Sequence, residues 1–215
     1  MTQAILHETS KSPNSDRSGI WLAGVLTTWV AIVLALAMGG TFDVPANEPA
    51  LPTLLAIAVP VGLFVVAMGL SPRLRELALS LDPVLATEFQ AWRILGGIFL
   101  AVYAFGHLPG FFAWPAGLGD MAVGVAAPFM AWQLRRNPEF LTSARFRWFN
   151  YLGLTDFVIA LATGIAARGQ IAGLVDQVTT APIGQLPLVL IPTIAVPIFI
   201  VLHLIVLMQT TSARR

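Results

Sequence analysis

The sequence contains no cysteine, and only 11% of its 215 residues are charged. The missing cysteine excludes disulfides, thiolate metal sites, iron–sulfur clusters and thiol nucleophiles. The net charge of +1 leaves no basic face that could neutralise phosphates, so we expect no nucleic-acid partner. Because soluble domains carry roughly 25% charged residues, most of this chain's surface cannot face water.

Apolar residues, by contrast, make up 57% of the chain, and its mean hydropathy is +0.79. They are arranged in long blocks, and about 20 apolar helical residues cross a hydrocarbon core of about 30 Å. The sequence therefore predicts an all-α integral membrane protein, a six-transmembrane-helix bundle over residues 19–209 with the lipid bilayer as its surroundings. The predicted spans are 19–39, 50–70, 90–108, 111–133, 148–168 and 187–209.

The orientation of the bundle follows from its loop charges, since lysine and arginine favour cytoplasmic loops. Ten of the 12 basic residues fall on one side of the predicted bundle, and the opposite loops hold none except Arg168 at a helix end. This pattern predicts an N-in/C-in topology in a bacterial-type inner (plasma) membrane, with cytoplasmic tails at 1–18, which we expect to be disordered, and 210–215. The ten residues are Lys11, Arg17, Arg73, Arg75, Arg135, Arg136, Arg145, Arg147, Arg214 and Arg215.

A cleaved signal peptide is the alternative reading of the N-terminus, because Ala35-Leu36-Ala37 has the small-x-small form of a cleavage site. Two features oppose it. The preceding tail contains Glu8 and Asp16, and the apolar run 19–38 is longer than the roughly 7–15 residues of a signal core.

Two aspartates interrupt the predicted fourth and fifth spans. Asp120 lies roughly 14 Å below the outer interface and Asp156 roughly 12 Å above the inner one, at 1.5 Å per residue. In a core of about 30 Å the two carboxyls therefore lie near one level. The surrounding segments 117–126 and 153–162 also form a short near-repeat.

Each aspartate lies on a stripe of small residues, such as Gly117 and Gly124 beside Asp120 and Gly153 beside Asp156. Small residues let membrane helices approach closely, so we expect both acids to point into the bundle. A charge at the bilayer centre costs about 2.5–3.5 kcal/mol or more, which favours a partly protonated pair. The pair is a candidate proton- or cation-binding centre or acid/base dyad; alternatively, each acid only ties two helices together.

Three other residues are candidates for the same interior. Arg93 near the cytoplasmic end of the third span either snorkels or pairs with Glu88, or it is the counter-charge to Asp156. His107 and His203 are possible ligands of a b-type haem or members of a polar site. They lie roughly 20 Å apart along the membrane normal, so they cannot both bind one iron.

Gly117-Leu118-Gly119-Asp120 resembles the GxGD motif of the intramembrane aspartyl proteases, the presenilins and prepilin peptidases. The resemblance implies a second aspartate on a neighbouring helix, with the two carboxyls activating water. It covers four residues, and Asp156 follows the motif here, without the preceding tyrosine and without the Pro-Ala-Leu motif of the presenilins.

The sequence thus favours a small carrier or channel-like transporter whose Asp120 and Asp156 form a proton- or cation-linked centre near the membrane midplane. Membrane-bound redox or enzyme chemistry, with haem or the same carboxylates, is one alternative. A non-catalytic accessory subunit is another. We also expect a homo-oligomer or a larger membrane complex. The sequence identifies neither a metal nor a cofactor.

Overall fold

The computed structural model describes residues 13–171, 173–175 and 177–213, and these residues form helices and turns without any strand. Besides short 3₁₀ turns at Pro138–Thr142 and Ala181–Gly184, two irregular helical segments are part of the bundle: a 3₁₀-helix at Gln90–Gly97 and a π-helical turn at Ile191–Ala195. The α-helices are α1 (Pro13–Met38), α2 (Leu51–Leu70), α3 (Pro72–Leu79), α4 (Pro83–Phe89), α5 (Ile98–Ala104), α6 (Gly110–Arg136), α7 (Ala144–Ala166) and α8 (Val196–Ser212).

Four helical stretches are long and apolar enough to cross a membrane: Leu51–Leu70, Pro83–Ala104, Ala144–Ala166 and Ile191–Ser212. The stretch Pro83–Ala104 contains α4, the 3₁₀-helix and α5. Helix α6 is longer, at 27 residues, but glycines, prolines and Asp120 make it less apolar. The described apolar part of α1, Ala23–Met38, is shorter than these four.

Several helix ends differ from the predicted spans: α7 begins at Ala144 and not at residue 148, and α8 ends at Ser212, inside the predicted tail 210–215. Helix α1 begins at Pro13 and not at residue 19, so the last part of the predicted tail is helical, while residues 1–12 lie outside the described residues. The third helical stretch covers 83–104, against the predicted 90–108. The last begins at Ile191 and not at residue 187, because residues 186–189 form turns around Pro187.

Side-chain caps explain where several helices begin. The Ser71 hydroxyl accepts a hydrogen bond from the Leu74 amide at the start of α3, and the Asp82 carboxylate accepts one from Val84 at the start of α4. At the start of α7 the Ser143 hydroxyl accepts a hydrogen bond from the Phe146 amide. Each cap satisfies an amide that has no partner within the first turn of a helix.

Helix α6 lies at the centre of the bundle and packs against α4, the 3₁₀-helix, α5 and α7. Its buried face recurs every three or four residues and consists mainly of small side chains, with Asp120 in the middle. This is the periodicity of a helix that has one buried stripe. The buried members of the stripe include Ala113, Ala116, Gly117, Asp120, Gly124, Ala127 and Ala131.

The 3₁₀-helix decides which side chains of the third stretch point into the bundle. Its buried residues are Gln90, Arg93 and Gly96, spaced three apart. A 3₁₀-helix has three residues per turn, so these positions lie directly above one another, whereas an α-helix would turn them progressively apart. Gln90, Arg93 and Gly96 thus lie in one straight row that faces the bundle interior. In this row the Gln90 amide donates to the Phe199 carbonyl of α8.

Gly124 is the closest backbone approach between α6 and this segment. A Cβ atom at this position would lie 2.5 Å from the Ile94 amide nitrogen and 3.1 Å from the Arg93 carbonyl carbon. Both are backbone atoms, which cannot rotate away as a side chain can. We predict that Gly124→Ala lowers the free energy of unfolding by about 1–3 kcal/mol through overpacking.

Thermal unfolding in detergent, followed by circular dichroism, measures this effect. Gly62→Ala on α2 is the matched control, since no atom lies within 4 Å of its added Cβ. Equal midpoints for the two variants would contradict the predicted close packing.

Candidate functional site

Arg93 is the centre of the polar interior, with only 1% of its surface exposed. Its Nε donates to Asp120 Oδ1 at 2.8 Å, and its Nη2 donates to Asp156 Oδ2 at 2.5 Å. Its Nη1 donates to the Gly153 carbonyl at 3.1 Å and contacts His203 Nε2 at 3.1 Å. Four of the five guanidinium N–H groups therefore have acceptors, and the side chain links α6, α7 and α8.

The hydrogen bonds around His203 define its tautomer. Arginine can only donate, so His203 Nε2 must accept from Arg93 and the ring hydrogen lies on Nδ1. That nitrogen is 2.8 Å from Asn150 Oδ1, and the Asn150 amide donates to the Phe146 carbonyl at 2.8 Å. The result is a chain of donors running from Arg93 through a neutral His203 and Asn150 to the backbone of α7.

Glycines and one aromatic ring shape the space around the guanidinium. A Cβ at Gly96 would collide with Asp120, one at Gly119 with Asp156, and one at Gly153 with His203. Only glycine permits these approaches. The Phe157 ring lies 3.9 Å from Arg93 Cζ, close enough for a cation–π interaction.

The charges of this cluster do not cancel. Arginine stays protonated in proteins, so Arg93 supplies one positive charge against two carboxylates. Each carboxylate uses one oxygen on Arg93, and no described residue donates to Asp120 Oδ2 or Asp156 Oδ1. With both acids ionised the cluster carries one surplus negative charge, which one proton or one monovalent cation would neutralise.

A cavity of about 100 Å³ reaches this cluster at Asp120. It lies among α2, α5, α6, α7 and the π-helical turn, and it ends at Arg168 and Thr180 near the loops that follow α1 and α7. Arg93, Asp156 and His203 do not line it. Asp120 is therefore the member of the cluster that a molecule in the cavity would meet.

The structure brings together four of the five candidate residues named from the sequence: Asp120, Asp156, Arg93 and His203. His107 is exposed in the turn between α5 and α6, away from them. Both alternatives that keep Arg93 at the membrane surface are wrong. Arg93 is buried, and Glu88 pairs instead with Arg135, at 2.7 Å.

The geometry argues against haem and against an aspartyl-protease dyad. Both ring nitrogens of His203 already have partners, so axial ligation would break one of these hydrogen bonds. In a protease dyad the two carboxyls share a proton, whereas Asp120 and Asp156 here share the guanidinium of Arg93. Within the described residues, no group of three or more His, Cys, Asp or Glu side chains could hold a metal ion.

The sequence interpretation missed Asn150 and the role of Arg168. Arg168 is 5% exposed and donates to the carbonyls of Val44, Pro45 and Glu48 at 2.7–2.9 Å, so it ties the loop after α1 to the end of α7. Its position as the lone basic residue on the predicted outer side was the available signal. For Asn150 the available signal was its side-chain amide, which is costly at the third residue of the predicted span 148–168 unless it has a partner.

These features define the class of the protein: an all-helical membrane protein with a buried, charged cluster. The chain belongs to the family whose model, described as a domain of unknown function (DUF8737), matches residues 50–210. The match includes every member of the cluster and the cavity, while α1 precedes it. The comparisons with curated proteins and with solved structures gave no match.

Removal of Arg93 tests whether it holds the cluster together. We predict that Arg93→Gln costs roughly 3–5 kcal/mol of stability, because two buried carboxylates lose their partner. The loss should be greater at about pH 8 than at about pH 5, since protonation of the carboxyls at low pH removes the unpaired charge.

Thermal unfolding at both pH values measures this difference. The triple variant R93Q/D120N/D156N should recover much of the lost stability, because it contains no unpaired charge. Arg135→Gln, which breaks an exposed pair, is the control and should cost at most about 1 kcal/mol. The explanation by unpaired charge would be refuted if Arg93→Gln lost the same stability at both pH values and the triple variant recovered none of it.

Proposed function

We propose that this protein is a small multi-pass carrier or channel-like transporter whose Arg93–Asp120–Asp156 cluster is its proton- or cation-linked centre. The observation that carries the proposal is the surplus charge, in which two buried carboxylates share one guanidinium. Charged groups within membrane helices are costly and commonly belong to ion or proton pathways. A cluster needed only for helix packing would be less costly if it were neutral.

The cavity supports this proposal. It approaches the cluster from the side of the loops after α1 and α7, and Asp120 lies at its inner end. On the other side, His203 and Asn150 are fully engaged in hydrogen bonds and fill the space between α7 and α8. A cavity that reaches a buried charged centre is a feature of many transporters.

The irregular helices next to the cavity also support a transport function. Ile191 and Pro192 of the π-helical turn line it. Pro197 has no amide hydrogen for the carbonyl of Thr193, which weakens the helix at this point. π-Helical turns are frequent at functional sites, and broken helices line the binding sites of many transporters.

We further propose that six helical stretches cross a bacterial-type inner membrane, with both termini in the cytoplasm. They are the four apolar stretches named above together with α1 and α6. The basic loops support this orientation. The outer side would then contain the Arg168 contacts and the cavity mouth. Association into homo-oligomers or a larger membrane complex stays a prediction.

The topology can be tested with single cysteines, because the chain has none of its own. We predict that a membrane-impermeant maleimide labels Gln170→Cys in intact cells, whereas Glu139→Cys is labelled only after lysis. Both positions are exposed. Val158→Cys, which faces outward near the middle of α7, should resist labelling in both samples. Labelling of Glu139→Cys alone in intact cells would reverse the proposed orientation.

The proton-linked centre can be tested by infrared spectroscopy. Between about pH 6 and pH 9, exposed carboxyls with a reference pKa of about 4 stay ionised. We predict that the wild-type protein in nanodiscs shows a protonated carboxyl band that titrates in this range. The band should disappear in Asp120→Asn or Asp156→Asn and persist in Glu139→Gln, which removes an exposed acid.

The absence of such a band in the wild type, or its persistence in both Asn variants, would contradict the proton-linked centre. The cluster would then be a packing contact, as expected for an accessory subunit.

A further inference from the structure

The occupant of the cavity can be inferred from its two ends and its walls. Its inner end is Asp120, and its outer end is formed by Arg168 and Thr180. Along α7 the cavity extends from Phe157 to Arg168, roughly 16 Å at the rise of an α-helix. Its lining is therefore extended along α7, and its volume of about 100 Å³ is below the roughly 300–1,000 Å³ of sites for drug-sized ligands.

The inner end is built for a hydrogen-bond donor that carries positive charge. Asp120 is 8% exposed, and its Oδ2 accepts no hydrogen bond from any described residue. The other oxygen accepts from Arg93 Nε, so the carboxylate is already held in place at the edge of the cavity. The surplus charge of the cluster makes a cation the complementary occupant, because charge-assisted hydrogen bonds are stronger than neutral ones.

The walls indicate an organic cation and not a metal ion. Ca²⁺ and Mg²⁺ take about six or more oxygen ligands, and Zn²⁺ prefers His and Cys, neither of which is among the described lining residues. Besides Asp120, the only side-chain oxygens among the described lining residues are the hydroxyls of Thr53 and Thr180, both near the outer helix ends. Phe99, Phe112 and Phe157 line the same space. Phenyl faces attract ammonium groups, and the aliphatic walls suit a hydrocarbon body.

We propose that this cavity binds a small organic monocation, a protonated amine with a short unbranched apolar body, whose ammonium group donates to Asp120 Oδ2. The inference rests on the proposed function because it uses the same surplus charge. It adds the class of ligand, namely a cation that enters from the cavity and takes the place of the proton on the cluster.

The test uses n-butylammonium chloride as the probe and 1-butanol as its uncharged match, titrated into the full-length protein in nanodiscs by calorimetry. The expected result is saturable binding of one ammonium ion per chain, at least about tenfold tighter than butanol, since only the ion forms a charge-assisted bond. Butanol binding of equal strength, no ammonium binding, or equal displacement by sodium would each overturn the proposal.

Two substitutions separate the charged end from the apolar walls. Asp120→Asn should weaken butylammonium binding at least about tenfold while leaving butanol unaffected. Ala160→Phe places a phenyl ring in the cavity, which Ala160 lines, and it should abolish binding of both probes. Ala162→Phe is its matched control, since it adds the same ring on the exposed face of α7. Unchanged ammonium binding in Ala160→Phe would place the ligand elsewhere.

Proton release tests the link between ligand and cluster. If ammonium replaces a proton, binding should release protons into a weakly buffered solution, and affinity should fall as the pH is lowered. Ammonium binding that releases no protons would overturn this exchange.

The two proposals fail in different ways. A wild type that shows the titrating carboxyl band but binds no butylammonium keeps the proton-linked centre and loses the ligand class. Specific ammonium binding without the titrating carboxyl band would keep the ligand class and contradict the proton-linked centre. Ala160→Phe should lose ligand binding and keep the carboxyl band.

Discussion

The interior of this protein depends on one guanidinium. Arg93 binds Asp120 on α6, Asp156 and Gly153 on α7, and His203 on α8, so four helical stretches meet at one side chain. In an apolar surrounding such an ion cluster is stable only when its members are paired and hydrogen-bonded. The glycines beside it, the 3₁₀-helix Gln90–Gly97 and the hydrogen-bonded His203 all surround this charge.

The hydrogen-bonding groups of the cluster are not all paired, and the unpaired ones are those that could bind a proton or a ligand. Arg93, His203 and Asn150 have their partners within the bundle, whereas each aspartate retains an oxygen without a donor among the described residues. A structural cluster would gain stability from a second cation or from a neutral side chain at one aspartate. The chain instead leaves one charge uncompensated, and the cavity ends at one of the two acids responsible. The proposals on proton linkage and on an ammonium ligand both follow from this imbalance.

Irregular backbone lies next to the cluster and to the cavity. The 3₁₀-helix aligns Gln90, Arg93 and Gly96, while the π-helical turn at Ile191–Ala195 forms part of the cavity wall. At the outer end, Arg168 ties the loop after α1 to α7. Regular helices surround these three places, so the fold combines a rigid frame with a few segments whose backbone hydrogen bonding differs from that of an α-helix.

The sequence by itself determined the helical, membrane-compatible class, because hydrophobicity and length act locally along the chain. It also identified Asp120, Asp156, Arg93 and His203, since a polar residue inside an apolar run is visible without any structure. It did not determine that Arg93 joins both acids, that Asn150 orients His203, or that Arg168 ties the loop after α1 to the end of α7. Those contacts join residues 27 to 124 positions apart, and only the packing of the helices around α6 brings them together. The packing of the 3₁₀-helix was equally invisible, because Gly96 meets Asp120 and Gly124 meets the backbone of Ile94, pairs that lie 24 and 30 positions apart in the chain.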